Sequence, residues 1–301
     1  MLGAAFLAVL LVIAAVPMIG HAFPASAAPD GPGALSHFDL ARKDCLGTAR
    51  NTTSKIWFTI ANGVLSDVYY PTNDNTNVET LQYIVTDGTS FTDLQTRDTT
   101  YTVQPLSSRA LDCRVTATAK SGKYRIVTDY LTDPNRNTVV MRTHFVPLVG
   151  DLSTYQLYVR YDPSINGNGG GGAGNGGGDS GVLDTSTGHA VPVAADLRTS
   201  SNAVNRTYAV PVYSALDASR AFSQVSNGFA GQPSDGLTQL DATHALTTTY
   251  GEADNGNLVQ TARLDLSRGS TFTLALGFGT SAASAVGAAE GTLATDRKSV
   301  V

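Results

Sequence analysis

Short runs of β-forming residues, separated by turn residues, recur along most of the chain and constrain its fold more than any other feature. Residues 56–60 (IWFTI) end at Asn62-Gly63, a strong hairpin signal, and residues 64–70 follow and stop at Pro71. Further runs of this kind are residues 81–86, 101–103, 113–119, 124–130, 138–145, 155–161, 209–214, 245–250 and 271–278. Many short strands with Gly, Asn, Asp and Pro turns predict an all-β fold, an antiparallel sandwich or barrel. Residues 281–294 are Ala-rich and predict a helix.

The N-terminal segment has the composition of an export signal. Residues 2–20 form an apolar run broken by Pro17, and Ala25-Ser26-Ala27 supplies small residues of the kind that signal peptidase cleaves after. We therefore predict a signal peptide at residues 1–27 and a secreted, extracellular protein, without a stable membrane span after cleavage. A membrane anchor is the alternative. Charged residues make up only 15% of the chain and its net charge is −5, which argues against a nucleic-acid partner.

The chain has two cysteines, Cys45 and Cys113. In an exported protein a pair of cysteines more often forms a disulfide than a reactive site, so we predict a Cys45–Cys113 disulfide. Two buried, unpaired thiols are the alternative.

A glycine-rich segment at residues 166–178 contains the pattern G-x-G-x-x-G at Gly167, Gly169 and Gly172. A dinucleotide site needs a helix directly after this pattern, but here more glycines follow and disfavour a helix. We interpret the segment as a flexible surface insertion and predict no nucleotide cofactor.

Candidate catalytic residues are few. The five histidines are scattered and no pair has metal-ligand spacing, so we expect no metal site; a structural Ca²⁺ ion is conceivable, but no motif supports one. Glycoside hydrolysis generally needs two carboxyl groups, and the only glutamates are Glu79, Glu252 and Glu290. None of these has aromatic neighbours that would shape a sugar subsite, so we expect each to be a solvated charge and predict no catalytic residue.

Aromatic side chains could stack on sugars, but in strands they more often belong to the core. We expect the core for most of this set: Trp57, Tyr69, Tyr70, Tyr83, Tyr155, Tyr158 and Tyr161. Strand parity predicts that Tyr158 lies on the opposite face from Tyr155 and Tyr161. Alternation further predicts that Val64, Val68, Tyr70, Leu81, Tyr83 and Val85 fill the space between two sheets. The polar connector at residues 72–77, and Glu79 after it, are expected to bury little.

Four segments resemble the N-terminal domain of bacterial glucodextranases and glucoamylases of glycoside hydrolase family 15. They are residues 43–98, which include VYYP and LQYIVTDG, and residues 121–145, 157–172 and 274–286. The resemblance implies a large antiparallel β-sandwich of the mutarotase-like supersandwich type, followed in the family by an (α/α)₆ barrel. In the family that barrel carries two catalytic glutamates and releases glucose from α-glucans with inversion. No position of this chain matches the family's catalytic motifs.

The resemblance also implies a domain organisation. We expect the β-sandwich at residues 30–280 and the start of a linker to an absent catalytic barrel, the partner in cis, at residues 281–295. We interpret residues 296–301 (DRKSVV) as a sequencing or truncation artefact, with a natural C-terminus as the alternative. The leading hypothesis is the non-catalytic N-terminal domain of a secreted hydrolase acting on starch- or dextran-type α-glucan. A carbohydrate-binding module without catalysis and a structural β domain are the competing hypotheses.

Overall fold

Two large antiparallel sheets packed face to face form the body of the computed structural model. The structure describes residues 26–34, 43–107, 110–167, 177–196, 201–202, 206–207 and 211–299. Most of the predicted signal peptide, residues 168–176 of the glycine-rich segment, and residues 300–301 lie outside these ranges. The predicted all-β antiparallel sandwich is confirmed.

The strands, in chain order, are β1 (Cys45–Thr48), β2 (Trp57–Ala61), β3 (Val64–Tyr69), β4 (Thr76–Thr86), β5 (Thr92–Leu94), β6 (Thr99–Pro105), β7 (Cys113–Ala119), β8 (Tyr124–Thr132), β9 (Thr138–Pro147), β10 (Gln156–Gly167), β11 (Asp179–Asp184), β12 (Val191–Asp196), β13 (Ser201–Asn202), β14 (Arg206–Thr207), β15 (Val212–Ala218), β16 (Gln224–Phe229), β17 (Glu252–Gly256), β18 (Leu258–Leu264) and β19 (Thr271–Gly279). The helices are α1 (Gln95–Asp98), α2 (Gly236–Thr243) and α3 (Ala282–Ser299), with 3₁₀ turns at Leu152–Thr154 and Leu266–Arg268. No helix in these ranges is both long and apolar enough to cross a membrane.

The first sheet has the order β1-β2-β3-β4-β10-β18-β16, with β5 also paired to β4. The second sheet has the order β17-β11-β12-β15-β19-β9-β8-β7-β6. Both sheets therefore join strands from distant parts of the chain, and β13 and β14 form a small separate hairpin.

The core lies between the two sheets and is rich in aromatic rings. Phe58 of the first sheet contacts Tyr130 of the second with ring centroids 6.3 Å apart, and Tyr83 meets Phe272 edge to face at 6.1 Å. The Tyr83 hydroxyl is not left unpaired, because it hydrogen-bonds the Thr143 hydroxyl at 2.7 Å. Burying each such side chain contributes about 1.5–3 kcal/mol, so the shared core ties the sheets into one unit.

A β-bulge in β3 changes which residues reach this core. Pairing with β4 shifts register between Leu65 and Tyr69, and Asp67 between them has a positive φ of 29°. The shift places Leu65 and Val68 together in the central cluster, whereas Val64 is buried outside it. The prediction of Val64 as a central core residue is therefore wrong, because strict alternation does not hold across a bulge. The other predicted core positions, Val68, Tyr70, Leu81, Tyr83 and Val85, are confirmed.

Each sheet carries a helix on its outer face. On the first sheet, Ile84 and Tyr158 pack with Leu240 of α2 and Leu246, so Tyr158 lies on the opposite face from Tyr155 and Tyr161, as predicted.

Helix α2 was not predicted. The prediction of a strand at residues 245–250 is wrong. This segment follows α2 without regular secondary structure and is held in place by a hydrogen bond from the Thr248 backbone N–H to the Gln239 side chain.

Helix α3 packs along the outer face of the second sheet. Its residues Ala285 and Val286 contact a small apolar cluster on β12 and β15, and Ala289 and Leu293 cover Ala275 of β19. The helix continues without a break to Ser299. Asp296 accepts hydrogen bonds from Arg142 Nε at 2.9 Å and from the Thr273 hydroxyl at 2.6 Å. The segment expected to begin a linker is therefore packed onto the β-sandwich as far as Asp296.

Candidate functional site

The two cysteines lie next to each other at one edge of the sandwich. Cys45 is on β1 of the first sheet and Cys113 is on β7 of the second, with Cα atoms 6.6 Å apart, and the structure joins their sulfur atoms. Cys113 is fully buried in the core cluster. A disulfide at this position closes the edge between the sheets covalently.

The polar connector at residues 72–77 spans the turn after β3 and the first two residues of β4, and two of its members, Asn75 and Asn77, are buried. The Asn77 side chain is fully buried and its Nδ2 donates to the backbone carbonyls of Val68 at 3.3 Å, Tyr70 at 2.8 Å and Asn75 at 3.1 Å. Its Oδ1 accepts from the Asn166 backbone N–H at 3.0 Å. One amide side chain therefore satisfies backbone groups of three segments, as a buried polar group must.

The connector also holds the end of β10. Asn75 Nδ2 donates to Asn166 Oδ1 at 3.0 Å, and the Thr76 hydroxyl donates to the Gly167 carbonyl at 2.8 Å. Asn166 has a positive φ of 55°, a conformation that asparagine tolerates better than most residues. The expectation that this connector buries little is wrong for Asn75 and Asn77, because their amides replace the strand ladder where β3 and β10 end.

A buried ion cluster lies beneath α2, on the outer face of the first sheet. Arg160 Nη1 lies 2.6 Å from Asp162 Oδ2, and Arg160 Nη2 lies 3.1 Å from Asp235 Oδ2. Burial alone would lower the pKa of Arg160, but the two carboxylates outweigh it and raise that pKa. Asp235 also caps α2 by accepting from the Leu237 N–H at 2.9 Å. The cluster thus fixes α2 on the sheet.

Asp179, at the start of β11, is a buried carboxyl group of a different kind. Its Oδ2 accepts from the Ile165 N–H at 3.0 Å, while its Oδ1 has no hydrogen-bond partner among the described residues. Burial raises the pKa of Asp179 well above its ordinary value, and the neighbouring Asp196 and Asp162 carboxylates raise it further. Ionisation of this side chain is therefore disfavoured in the folded protein.

The three glutamates have different surroundings. Glu252 is exposed on the edge strand β17, as expected for a solvated charge. Glu79 and Glu290 are half-buried, which differs from that expectation. Glu79 lies close enough to Asp162 to raise the pKa of that carboxyl group, after the larger effect of burial. Glu290 belongs to a separate cluster beneath α3.

Two aromatic side chains form an exposed pair on the outer face of the first sheet. Trp57 of β2 pairs directly with Tyr69 of β3, so the two side chains lie side by side on one face. Trp57 is 39% exposed and Tyr69 is partly exposed, whereas the other five candidate aromatics are buried. The expectation of a core position is therefore wrong for Trp57, which lies on the face opposite the buried Phe58.

A pocket under α3 brings together three side chains that the sequence did not connect. His189 precedes β12, Asp217 is on β15 and Glu290 is on α3, and one ligand-type atom from each lies within 4.8 Å of the others. His189 Nε2 lies 2.9 Å from Asp217 Oδ1. These residues are far apart in the chain, so no local spacing could have revealed them.

The two antiparallel sheets and the core that they share define a large β-sandwich domain. Residues 28–301 match the family model described as glucodextranase, domain N, and the chain belongs to this family.

Two relatives resemble the chain along most of its length. A glucoamylase from Clostridium sp. (strain G0005) is 34% identical over 273 residues, which are 91% of this chain and 36% of the relative. The crystal structure of a bacterial glucoamylase complexed with acarbose superposes with a TM-score of 0.79 at 34% identity, covering 90% of this chain and 37% of that one. The chain thus spans little more than a third of the length of these relatives.

Proposed function

We propose that this chain is the non-catalytic N-terminal domain of a secreted, exo-acting α-glucan hydrolase of glycoside hydrolase family 15. The enzyme would release glucose with inversion, and its (α/α)₆ catalytic barrel would follow the β-sandwich in the full-length protein. The observation that carries the proposal is the match of nearly the whole chain to about a third of a glucoamylase. In this proposal the sandwich is a rigid platform that positions the barrel and does not transfer protons.

The test compares the chain with an extended gene product. The chain alone should release no glucose from maltooligosaccharides or isomaltooligosaccharides, whereas the product of the gene extended beyond Ala294 should release it. Comparing the two oligosaccharides also shows whether α-1,4 or α-1,6 bonds are preferred. Glucose release by the chain alone, or an intact locus that encodes no barrel after Ala294, would contradict the proposal.

Secretion is tested at the N-terminus. The proposed signal peptide at residues 1–27 requires that export removes it, leaving a protein that begins at Ala28. N-terminal sequencing of protein recovered from the medium checks this. Protein retained in the cell membrane with residues 1–27 attached would support an anchor instead.

Carbohydrate binding by the chain itself is a second candidate function, and the Trp57–Tyr69 pair favours it. A flat aromatic surface suits stacking on the apolar face of a sugar ring, and Trp57 offers one to solvent. Affinity electrophoresis in gels containing starch or dextran measures such binding. Trp57→Ala should abolish any retardation, while Leu148→Ala, which removes an exposed side chain elsewhere, should leave it unchanged. Equal mobility of the wild-type protein with and without polysaccharide would exclude this function.

A further inference from the structure

The pocket under α3 has the composition of a metal site, a feature that belongs to neither the hydrolase proposal nor the sugar-binding surface. It has a volume of about 400 Å³, and its polar wall consists of Thr187, His189, Asp217 and Glu290. The three ionisable side chains come from the turn before β12 (His189), from β15 (Asp217) and from α3 (Glu290). A ligand bound to all three would therefore link these three elements.

The hydrogen bonds of His189 fit a ring whose Nδ1 carries the proton and whose Nε2 lone pair is directed at the pocket. The Thr187 hydroxyl lies 3.3 Å from the His189 carbonyl and 3.2 Å from His189 Nδ1. Both contacts are satisfied when the hydroxyl donates to the carbonyl and Nδ1–H donates to the hydroxyl oxygen. In that tautomer the Nε2 lone pair faces Asp217 Oδ1, which is itself an acceptor. Asp217 Oδ1 is then satisfied either by an Nε2–H, in the other neutral tautomer of the ring, or by a metal ion bound to both atoms.

The carboxylates indicate which of these two, the Nε2–H or the metal ion, fits the pocket better. Asp217 is almost fully buried, and its Oδ1 already accepts from the Ala218 N–H at 2.7 Å. Glu290 is half-buried beside it, and its carboxylate has no hydrogen-bond or ion-pair partner in the described part of the chain. An Nε2–H would hydrogen-bond Asp217 alone and would leave the two carboxylates close together. A divalent ion would bind the imidazole and both carboxylates.

We propose that His189 Nε2, Asp217 and Glu290 bind a divalent first-row transition metal ion, with Zn²⁺ the best fit. Zinc commonly takes three nitrogen or oxygen ligands and leaves a fourth position to water, which the open side of this pocket can supply. The imidazole argues against Ca²⁺ and Mg²⁺, which prefer all-oxygen sites. Thr187 would fix the ring from its other nitrogen, as partners of metal-bound histidines do. The ion would fasten α3 to β15 and to the hairpin before β12.

The test uses the full chain without a histidine tag, stripped with chelator and titrated with Zn²⁺ by calorimetry. We expect one equivalent to bind, and Glu290→Gln and His189→Gln each to weaken binding at least tenfold. The matched controls Glu252→Gln and His144→Gln change exposed residues of the same types elsewhere and should bind as the wild type does. Ca²⁺ should not compete.

Thermal unfolding gives a second readout that does not depend on the calorimetry. Saturating Zn²⁺ should raise the unfolding midpoint of the wild type by about 5 °C or more and should not shift that of Glu290→Gln. Absence of stoichiometric Zn²⁺ binding, or equal binding by Glu290→Gln and His189→Gln, would overturn the proposal. Either result would show that His189 and Asp217 form only a hydrogen-bonded pair.

Discussion

Asp179 makes the stability of this domain depend on pH in an unusual direction. Its pKa is raised by burial, so above its ordinary value of 3.8 folding must take up a proton. This contribution to stability is therefore complete below that value and is lost as the pH rises toward the raised pKa. Asp179→Asn removes the proton uptake and keeps an acceptor for the Ile165 N–H. We predict that the variant gains stability over the wild type, by up to about 1.4 kcal/mol per pH unit, as pH rises from 3.8 toward the raised pKa.

Urea unfolding of both proteins across that pH range measures the effect. Asp30→Asn changes an exposed aspartate and should show no such trend. A constant difference between Asp179→Asn and the wild type at every pH would mean that Asp179 ionises normally in the fold.

Asn77, the last residue of the polar connector at residues 72–77 and the second residue of β4, supplies buried hydrogen bonds to backbone groups on three sides. Replacing it with alanine leaves buried backbone carbonyls and the Asn166 N–H without partners, at about 1–3 kcal/mol for each group that water cannot reach. We predict that Asn77→Ala lowers the free energy of unfolding by about 2–4 kcal/mol in total. Asn73→Ala, in the exposed part of the same connector, should cost less than about 0.5 kcal/mol. Similar losses for the two variants in urea unfolding would contradict this assignment.

The Cys45–Cys113 disulfide remains a prediction, which depends on the proposed export of the protein. It would close a loop with a sequence separation of 68 residues and would stabilise the fold by up to about 4 kcal/mol. Intact mass should rise by two hydrogens on reduction, and Cys45→Ala should lower the unfolding midpoint. Two alkylatable thiols in the unreduced secreted protein would refute it.

Only some of the contacts between individual residues could be predicted from the sequence. Counting cysteines in an exported chain is enough to suggest their pairing, because composition carries that information. The burial of Asn77 and the meeting of His189 with Glu290 depend on chain segments that come together only in the fold. No local pattern marks such residues, and asparagine in a polar stretch ordinarily signals an exposed turn.

At the scale of elements, α3 and the second sheet approach so closely that a glycine is required between them. A Cβ atom on Gly277 of β19 would lie 2.5 Å from the Ala285 carbonyl oxygen and 2.7 Å from the Ala289 nitrogen. Both are helix backbone atoms that cannot turn away. We predict that Gly277→Ala lowers the free energy of unfolding by about 1–3 kcal/mol.

The matched control lies on the helix itself. Gly287 is exposed, and a Cβ atom there would meet no atom within 4 Å. Gly287→Ala should therefore stabilise the protein by about 0.5–1 kcal/mol, since alanine has the higher helix propensity. A neutral effect of Gly277→Ala in urea unfolding would show that α3 can shift away from the sheet.

Elements with strong alternation were the easiest to predict. The strand expected at residues 113–119 is β7, and those expected at residues 124–130 and 138–145 lie within β8 and β9. Strand β18 (LVQTARL) was missed because it lies between two others and is buried on both faces, which removes the alternation. Helix α2 is short and depends on its Asp235 cap and on the ion pair with Arg160, neither of which the apolar pattern shows.

At the scale of the whole molecule, the shared core predicts that both sheets unfold together. Trp57, the only tryptophan, is on the first sheet, whereas the buried Tyr124 and Tyr130 are on the second. Tryptophan fluorescence thus reports on the first sheet, whereas near-ultraviolet circular dichroism of the tyrosines, which lie on both sheets, reports on the two together. We predict coincident midpoints in urea, as for one cooperative unit. Separate midpoints would mean that one sheet folds without the other.

The position of β19 has a consequence for synthesis on the ribosome. This strand ends at Gly279, near the end of the described residues, yet it lies in the middle of the second sheet between β15 and β9. Strands β6 to β9 can pair as they emerge, but their open edge beside β9 must wait for more than a hundred further residues. The nascent domain therefore displays an unpaired strand edge throughout that interval, and a chaperone that shields such edges would be needed longest at β9.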